Sequence, residues 1–335
     1  MQQAIRSTVR SGVGLSQRAA AHPFGVPGQG AARSAPRSIA AAMTDVIALT
    51  KPRIALMALI TAGGTWLLTA PHLGVFELVR AAAAMVGVGC VVMGAGALNM
   101  FLERDVDCLM ERTRLRPLPQ RRLPAWVALV VGSLLSALAV PALLVGANAL
   151  TVGIALFSLF LYVLVYTPMK RTSPWSLVVG AVPGAAPALM GATAATGTLE
   201  GTGLAMFGVV FLWQLPHFMA INIYREHEYV AAGHKIASGL WGVSTARALM
   251  LLTTVPLLVL GVALWPLGVA GPGFAVFATL LGAWFLVVVL RGMGIDPRAR
   301  ALVDAWARKV FFGTLLYQTA LFGALALDVV VRRQL

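Results

Sequence analysis

Residues 97–119 read ALNMFLERDVDCLMERTRLRPLP, an apolar run that passes without a break into four carboxylates (Glu103, Asp105, Asp107, Glu111) and four arginines (Arg104, Arg112, Arg114, Arg116). The apolar residues leading into it make up a membrane span, and the charges mark where the chain leaves the hydrocarbon. The remainder of the sequence agrees. Of 335 residues, 59% are hydrophobic and 11% charged, and the mean hydropathy is +0.83, outside the range of soluble domains. Continuously apolar runs predict helices near 53–70, 78–102, 125–146, 149–168, 175–195, 203–223, 248–269, 274–291 and 309–330. They do not alternate at period two, which argues against a transmembrane barrel. The expected fold is an all-α integral membrane protein of nine transmembrane helices.

The formal net charge is +14, and in a membrane chain the position of each cation matters more than the sum. Laid along nine spans, 23 of the 26 Lys and Arg fall on the N-terminal side of the membrane, the exceptions being Arg80, Arg332 and Arg333. The positive-inside rule therefore places the N-terminus, the 103–124 loop, Lys170, the 224–247 loop and the 292–308 loop in the cytoplasm or its equivalent. No basic nucleic-acid module is visible. Residues 1–43 hold five arginines and no acids, and form an Arg/Ala-rich N-terminal extension, expected to be disordered, ahead of a membrane domain at 44–335. Their composition fits a bacterial inner-membrane protein and, alternatively, a transit segment for the mitochondrial inner membrane. Cys90 and Cys108 give no disulfide framework, and no Cys or His pair has zinc spacing.

An acid at the membrane edge is costly and reads first as functional. Asn99, Glu103 and Asp107 are spaced by four, so on a helix they advance about 40° per step and form one narrow stripe, whereas Asp105 points away. Oxygen ligands of this kind suit Mg²⁺, which takes one or two carboxylates and completes its shell with water and substrate phosphate. Asn99 and Asp107 would lie about 12 Å apart along the axis, so either stripe neighbours share one ion or two ions are held. The competing reading is that the acids only pair with nearby arginines in a solvated loop. Against it stands a repeat: Asn222-Ile-Tyr-Arg-Glu226-His-Glu228 has the spacing of Asn99, Glu103 and Asp105, as two half-sites facing one cavity would. Arginines beside a metal would then bind phosphate oxygens, Arg112 and Arg116 among them, with Lys170 adding charge or serving only as a topology signal. Carboxylates, Mg²⁺ and cations at a membrane surface suggest a diphosphate whose hydrocarbon tail lies among the helices.

LTKPRI (49–54), LNMFLERDVDCLMERTRLRPLP (98–119), YTPMKRTSPWSLVVGAVPGAAPALMG (166–191) and FLWQLPHFMAINIYREHEY (211–229) resemble the motifs of the UbiA-type intramembrane prenyltransferases, and within them the haem-modifying branch. The resemblance covers about 290 residues. It implies nine helices around a central cavity, Mg²⁺ and farnesyl diphosphate on the cytoplasmic or matrix side, and protohaem IX (haem b) as acceptor. The implied reaction joins the farnesyl group to the haem 2-vinyl group and gives haem o for terminal oxidase assembly, with a downstream haem a synthase as a possible partner. Carried over by position, Asn99, Glu103 and Asp107 match the first acidic motif, and Glu226 and Glu228 supply the second half of the metal set. Glu228 stands where relatives often carry Asp, and HKIASGL after Gly233 departs from the usual Met-Leu-Pro continuation, which bears on the lid conformation of that loop.

His217, inside a span, has two readings: contact with the acceptor's iron, or polar packing against a neighbouring helix. Tyr166 and Tyr224, at the basic ends of their spans, are candidates for shielding an allylic cation. Pro183, Pro187 and Pro216, with Gly180, Gly184 and Gly191, predict bent helices and close backbone approach. Two alternatives to the haem-directed reading are a sister transferase with an aromatic or chlorophyllide acceptor and a multi-pass secondary transporter. Transporters place charge near the bilayer midplane, whereas these acids gather at one edge.

Overall fold

The structure, a computed structural model, describes residues 38–334. The helices in chain order are α1 (Ile39–Leu49), α2 (Pro52–Thr69), α3 (Val75–Asp107), α4 (Ala125–Gly146) and α5 (Ala149–Phe160), which continues through a π-helical turn (Leu161–Tyr166) into α6 (Thr167–Met169). There follow α7 (Ser176–Thr196), α8 (Gly201–Tyr224), α9 (Glu226–Ala231), α10 (Ala237–Ala263), α11 (Pro272–Leu290) and α12 (Arg300–Gln334). Among the described residues nine helices are long and apolar enough to cross a membrane: α2, α3, α4, α5 through α6, α7, α8, α10, α11 and α12. No strand occurs among the described residues. Of the expected N-terminal extension, residues 1–37 lie outside the described residues, and α1 begins at Ile39, ahead of the 43/44 boundary.

Two boundaries differ most from the sequence expectation, for identifiable reasons. α12 starts at Arg300 rather than near 309, because its charged first turns carry an Arg300–Asp304 pair (Nε–Oδ1 3.1 Å) on one face and bury Val303, Trp306 and Ala307 on the other. The expected 292–308 connector is therefore helical over half its length. α10 starts at Ala237 rather than near 248, across a kink at Gly242, whose φ of 81° only glycine adopts freely.

Small residues set the helix spacing. A Cβ on Gly191 of α7 would collide with the backbone carbonyl of Ala62 on α2, and one on Gly146 of α4 with the backbone of Ala84 on α3. Close approach of this kind replaces the hydrophobic drive that lipid does not supply between membrane helices. The prolines Pro183, Pro187 and Pro216 do lie inside α7 and α8. The cores follow the chain. α8, α10, α11 and α12 bury Met250, Leu257, Phe285 and Tyr317 together, while Val88, Leu143, Ala155 and Met190 join α3, α4, α5 and α7. With nine alternating spans, Lys51, the 108–124 loop, Lys170, α9 and the 291–299 turn all come to one end of the bundle, the basic end.

Candidate functional site

α3 runs without interruption to Asp107, so the predicted stripe exists as one helical face. Asn99 is 1% exposed and Asp107 3%, and Glu103 is nearly buried between them. The other two acids of the segment make only loose surface pairs, Asp105 with Arg104 (3.8 Å) and Glu111 with Arg114 (3.9 Å). The solvated-loop reading thus holds for Asp105 and Glu111, and not for Glu103 and Asp107.

Three cations converge on the stripe from three parts of the chain. Lys170 Nζ donates to Glu103 Oε1 at 2.8 Å, Arg116 Nη1 to Asp107 Oδ2 at 2.7 Å, and Lys51 Nζ to Asn99 Oδ1 at 2.5 Å. Asn99 completes the link by donating to Glu103 Oε2 (2.9 Å) and to Thr167 Oγ1 (3.0 Å). The π-helical turn contributes here: Thr167 bonds back to the Tyr162 carbonyl at 2.8 Å, and Lys170 leaves the next turn over the Tyr166 ring at 4.5 Å from its centroid. A Cβ on Gly180 would meet the Tyr166 ring, so α7 can lie against the site only because that position is bare.

The two lysines are pushed in opposite directions. Burial first, then the charges of Arg116 and Lys170, lower the Lys51 pKa to about 7 despite Glu103 and Asp107. Burial also opposes the charge on Lys170, but Tyr166 and the hydrogen-bonded Glu103 carboxylate outweigh it and hold Lys170 above the usual lysine range. The carboxylate is already committed to Lys170, while Lys51 faces a neutral amide. Sequence reasoning missed Lys51. Its signal is in the backbone, where it stands before Pro52 with φ 50°, a left-handed conformation that a lysine adopts only when its surroundings demand it.

The second acidic segment is arranged differently. α8 ends at Tyr224, the helix breaks at Arg225, and Glu226 turns to Arg300 of α12 (Oε2–Nη1 3.1 Å), which also donates to the Ile223 carbonyl. Glu228 pairs through Oε1 with Arg225 at 2.7 Å and leaves Oε2 buried without a partner. Both acids lie at the basic end, yet among the described residues no group of three or more His, Cys, Asp or Glu stands close enough to hold a metal. The segment reaches the first motif instead through apolar contact, Tyr229 and Ala232 packing on Val106 and Met110, and through Lys235 N–H donating to the Lys170 carbonyl at 2.8 Å. Arg112 is exposed, and its charge offsets part of the upward shift that burial gives the Tyr229 hydroxyl.

These groups fit Mg²⁺. Asn99, Glu103, Asp107 and the orphan Oε2 of Glu228 are all hard oxygen donors, and Mg²⁺ needs only one or two carboxylates when phosphate and water fill its remaining positions. Each buried acid of the stripe is meanwhile neutralised by a lysine or arginine able to turn to phosphate.

Deeper in the bundle, the His217 ring lies between Trp213 and Phe311, both with centroids at 4.8 Å. Thr314 Oγ1 donates its hydrogen to the Phe311 carbonyl at 2.6 Å, so at 2.8 Å it accepts from His217 Nδ1. That fixes the tautomer and leaves Nε2 with a free lone pair. Tyr224 is an edge partner of Phe311 (6.0 Å) under the guanidinium of Arg308 (5.7 Å).

The family model of UbiA prenyltransferases matches residues 55–316. A protoheme IX farnesyltransferase of Anaeromyxobacter dehalogenans (strain 2CP-C) is 45% identical over 298 residues, which is 89% of this chain and 97% of that protein. Among solved structures, a digeranylgeranylglyceryl phosphate synthase superposes with a TM-score of 0.71 at 13% identity, covering 85% of this chain and 98% of its own. A UbiA homolog from Archaeoglobus fulgidus, bound to DMAPP and Mg²⁺, superposes with a TM-score of 0.61 at 12% identity over 84% of this chain and 99% of its own. The helical arrangement and the length of the match agree with the motifs, and the chain belongs to the UbiA prenyltransferase family.

Proposed function

We propose that the protein transfers the farnesyl group of farnesyl diphosphate to the 2-vinyl group of protohaem IX, giving haem o and pyrophosphate. The observation that carries the reading is the buried lattice at the basic end, where Glu103 and Asp107 face Lys51, Lys170 and Arg116 in an otherwise apolar bundle. A relative 45% identical along nearly its whole length bears the name of this activity.

Stripe neighbours among Asn99, Glu103 and Asp107 would hold Mg²⁺, with Glu228 joining them, and Glu226 stays with Arg300. When bound there, Mg²⁺ would supply positive charge to the diphosphate and to the pyrophosphate that leaves. Lys170 and Arg116 turn from their carboxylates, and Lys51 from the Asn99 amide, to the phosphate oxygens, and Arg112 approaches from the loop. The bond between the farnesyl C1 and the diphosphate oxygen breaks, and both electrons leave with pyrophosphate. The vinyl group adds to the allylic cation, and water supplies the hydroxyl and loses a proton, completing the hydroxyethylfarnesyl substituent. Tyr166, held against Lys170, offers its ring to the cation, and the surrounding apolar helices keep water from reaching it early. His217 meets the acceptor through Nε2, its Nδ1–H being held by Thr314. Tyr224 frames that side of the cavity.

The protein works in the bacterial inner membrane with its basic end in the cytoplasm, as the positive-inside rule and the bacterial origin of its relative support. Its product passes to a haem a synthase or directly to an oxidase. The test is one incubation of detergent-solubilised protein with haem, farnesyl diphosphate and Mg²⁺, followed by mass analysis of the porphyrin. A hydroxyethylfarnesyl adduct that requires all three components supports the reading, and a prenylated aromatic acceptor with unmodified haem overturns it.

A further inference from the structure

α11 and α12 meet on their inner side, where Phe285 lies against Tyr317 and Trp306 Nε1 donates to the Val288 carbonyl at 3.0 Å, and part on their outer side. Between them lies a groove of about 650 Å³ whose walls come from these two helices and from Arg291 and Ile295 of the turn joining them. It is lined by Trp284, Trp306 and Phe312 and by aliphatic side chains, with Phe312 65% and Leu302 61% exposed on the outer side of a membrane-spanning helix. Two cations, Arg291 and Lys309, line the groove, and no acid does. Neither side chain has a hydrogen-bond or ion-pair partner among the described residues, although every buried acid of the catalytic end has taken one. Behind the groove wall, Arg247 rests against the Trp306 ring at 5.4 Å and donates to the Ile295 carbonyl at 2.6 Å, leaving Nε and Nη2 buried without partners. No acid is bonded to it, and Asp296 is the carboxylate that acts on it through space.

Cations that only set topology need no common surface. Here two of them share one aromatic groove that opens sideways, with a third behind it. An occupant must offer an anion at the basic end and hydrocarbon along the helices, and it must enter from the bilayer. We propose that this groove is a binding site for an anionic phospholipid, its phosphate between Arg291 and Lys309 and an acyl chain against Trp284 and Phe312. Basic crevices between spans on the positive side of a membrane are suited to such headgroups. The site is separate from the diphosphate lattice, which α11 does not line.

Native mass spectrometry of the detergent-solubilised full chain, titrated with phosphatidylglycerol, cardiolipin or phosphatidylcholine, tests the site. Wild-type protein is expected to keep one anionic lipid under conditions that strip phosphatidylcholine. The R291Q/K309Q variant should bind it roughly tenfold or more weakly, since each basic side chain near an anionic headgroup contributes substantially to attraction. Arg298→Gln, which removes an exposed cation outside the groove, should bind as wild type. Equal retention by the double variant, or equal binding of anionic and zwitterionic lipid, overturns the proposal. So does displacement of the lipid by added haem, which would make the groove an acceptor site. A reading on unaltered protein guards against misfolding of the variant: phosphatidylglycerol with brominated chains should quench tryptophan emission more than brominated phosphatidylcholine, and Trp284→Phe should reduce that difference. Identical quenching by the two lipids would also sink it.

Discussion

Asn99-x-x-x-Glu103 and Asn222-x-x-x-Glu226 share a spacing and lie at the same end of the bundle, but the chain uses them differently. In the first, α3 stays helical to Asp107, its acids meet cations from the end of α5–α6 and from the following loop, and its Asn99 meets Lys51 from before α2. In the second, the helix breaks at Arg225, and the acids fall back on α12 and on Arg225 itself. Long-range partners hold the first segment in place. The second is tied by the part-exposed Arg300, one local pair and a small apolar contact, so it can reorganise over a ligand at lower cost. On the proposed mechanism, one half-site is prebuilt and the other is recruited.

The comparison can be broken by substitution, beginning with the largest effect. Asp107→Asn, which keeps the shape and removes the charge, should lower haem o formation roughly 10²–10³-fold, comparable to loss of one preorganised electrostatic group in other active sites. Porphyrin mass analysis at saturating substrate checks this, with monodisperse elution in detergent showing that the fold survives. Turnover at the wild-type rate would remove the first segment from the chemistry. Lys51→Met should raise the KM for farnesyl diphosphate roughly 10-fold to 100-fold with a smaller change in kcat, because a hydrogen bond to a charged group is worth about 1.5–3 kcal/mol. A change confined to kcat would assign Lys51 to another step.

Glu228→Gln should raise the Mg²⁺ concentration for half-maximal rate about tenfold, at the low end of what loss of a supporting metal contact costs. Glu226→Gln should do least. Its pair with the part-exposed Arg300 is worth at most about 1 kcal/mol, and activity should stay near wild type. If Glu226→Gln proved as damaging as Asp107→Asn, the two segments would be equivalent half-sites after all.

What the sequence made legible follows from where each signal is stored. The nine spans are written in continuous hydrophobicity, and the outward turn of Asp105, whose side chain is 83% exposed, is written in the helical period. The period fails at Glu226 because one residue, Arg225 (φ −116°, ψ 19°), ends the helix without a glycine or proline to announce it. Residues 300–308 misled because composition sees Arg300, Asp304 and Arg308, while the buried Val303, Trp306 and Ala307 on the opposite face decide the structure. Lys51 was invisible for a third reason: its partner Asn99 is 48 residues away, and only the fold joins them.

The wide turn at Leu161–Tyr166 has a consequence for how this site tolerates change in length. It seats one residue more than an ordinary helical turn, so everything after it is rotated in phase relative to α5. Losing a single residue there would close the turn to ordinary α-helix and leave Thr167 and Lys170 near their present phase, whereas a further inserted residue would swing them by about 100° around the axis, taking the lysine off Glu103 and the hydroxyl off Asn99. Insertions in this stretch should therefore inactivate as surely as loss of a carboxylate, while a single deletion should be tolerated.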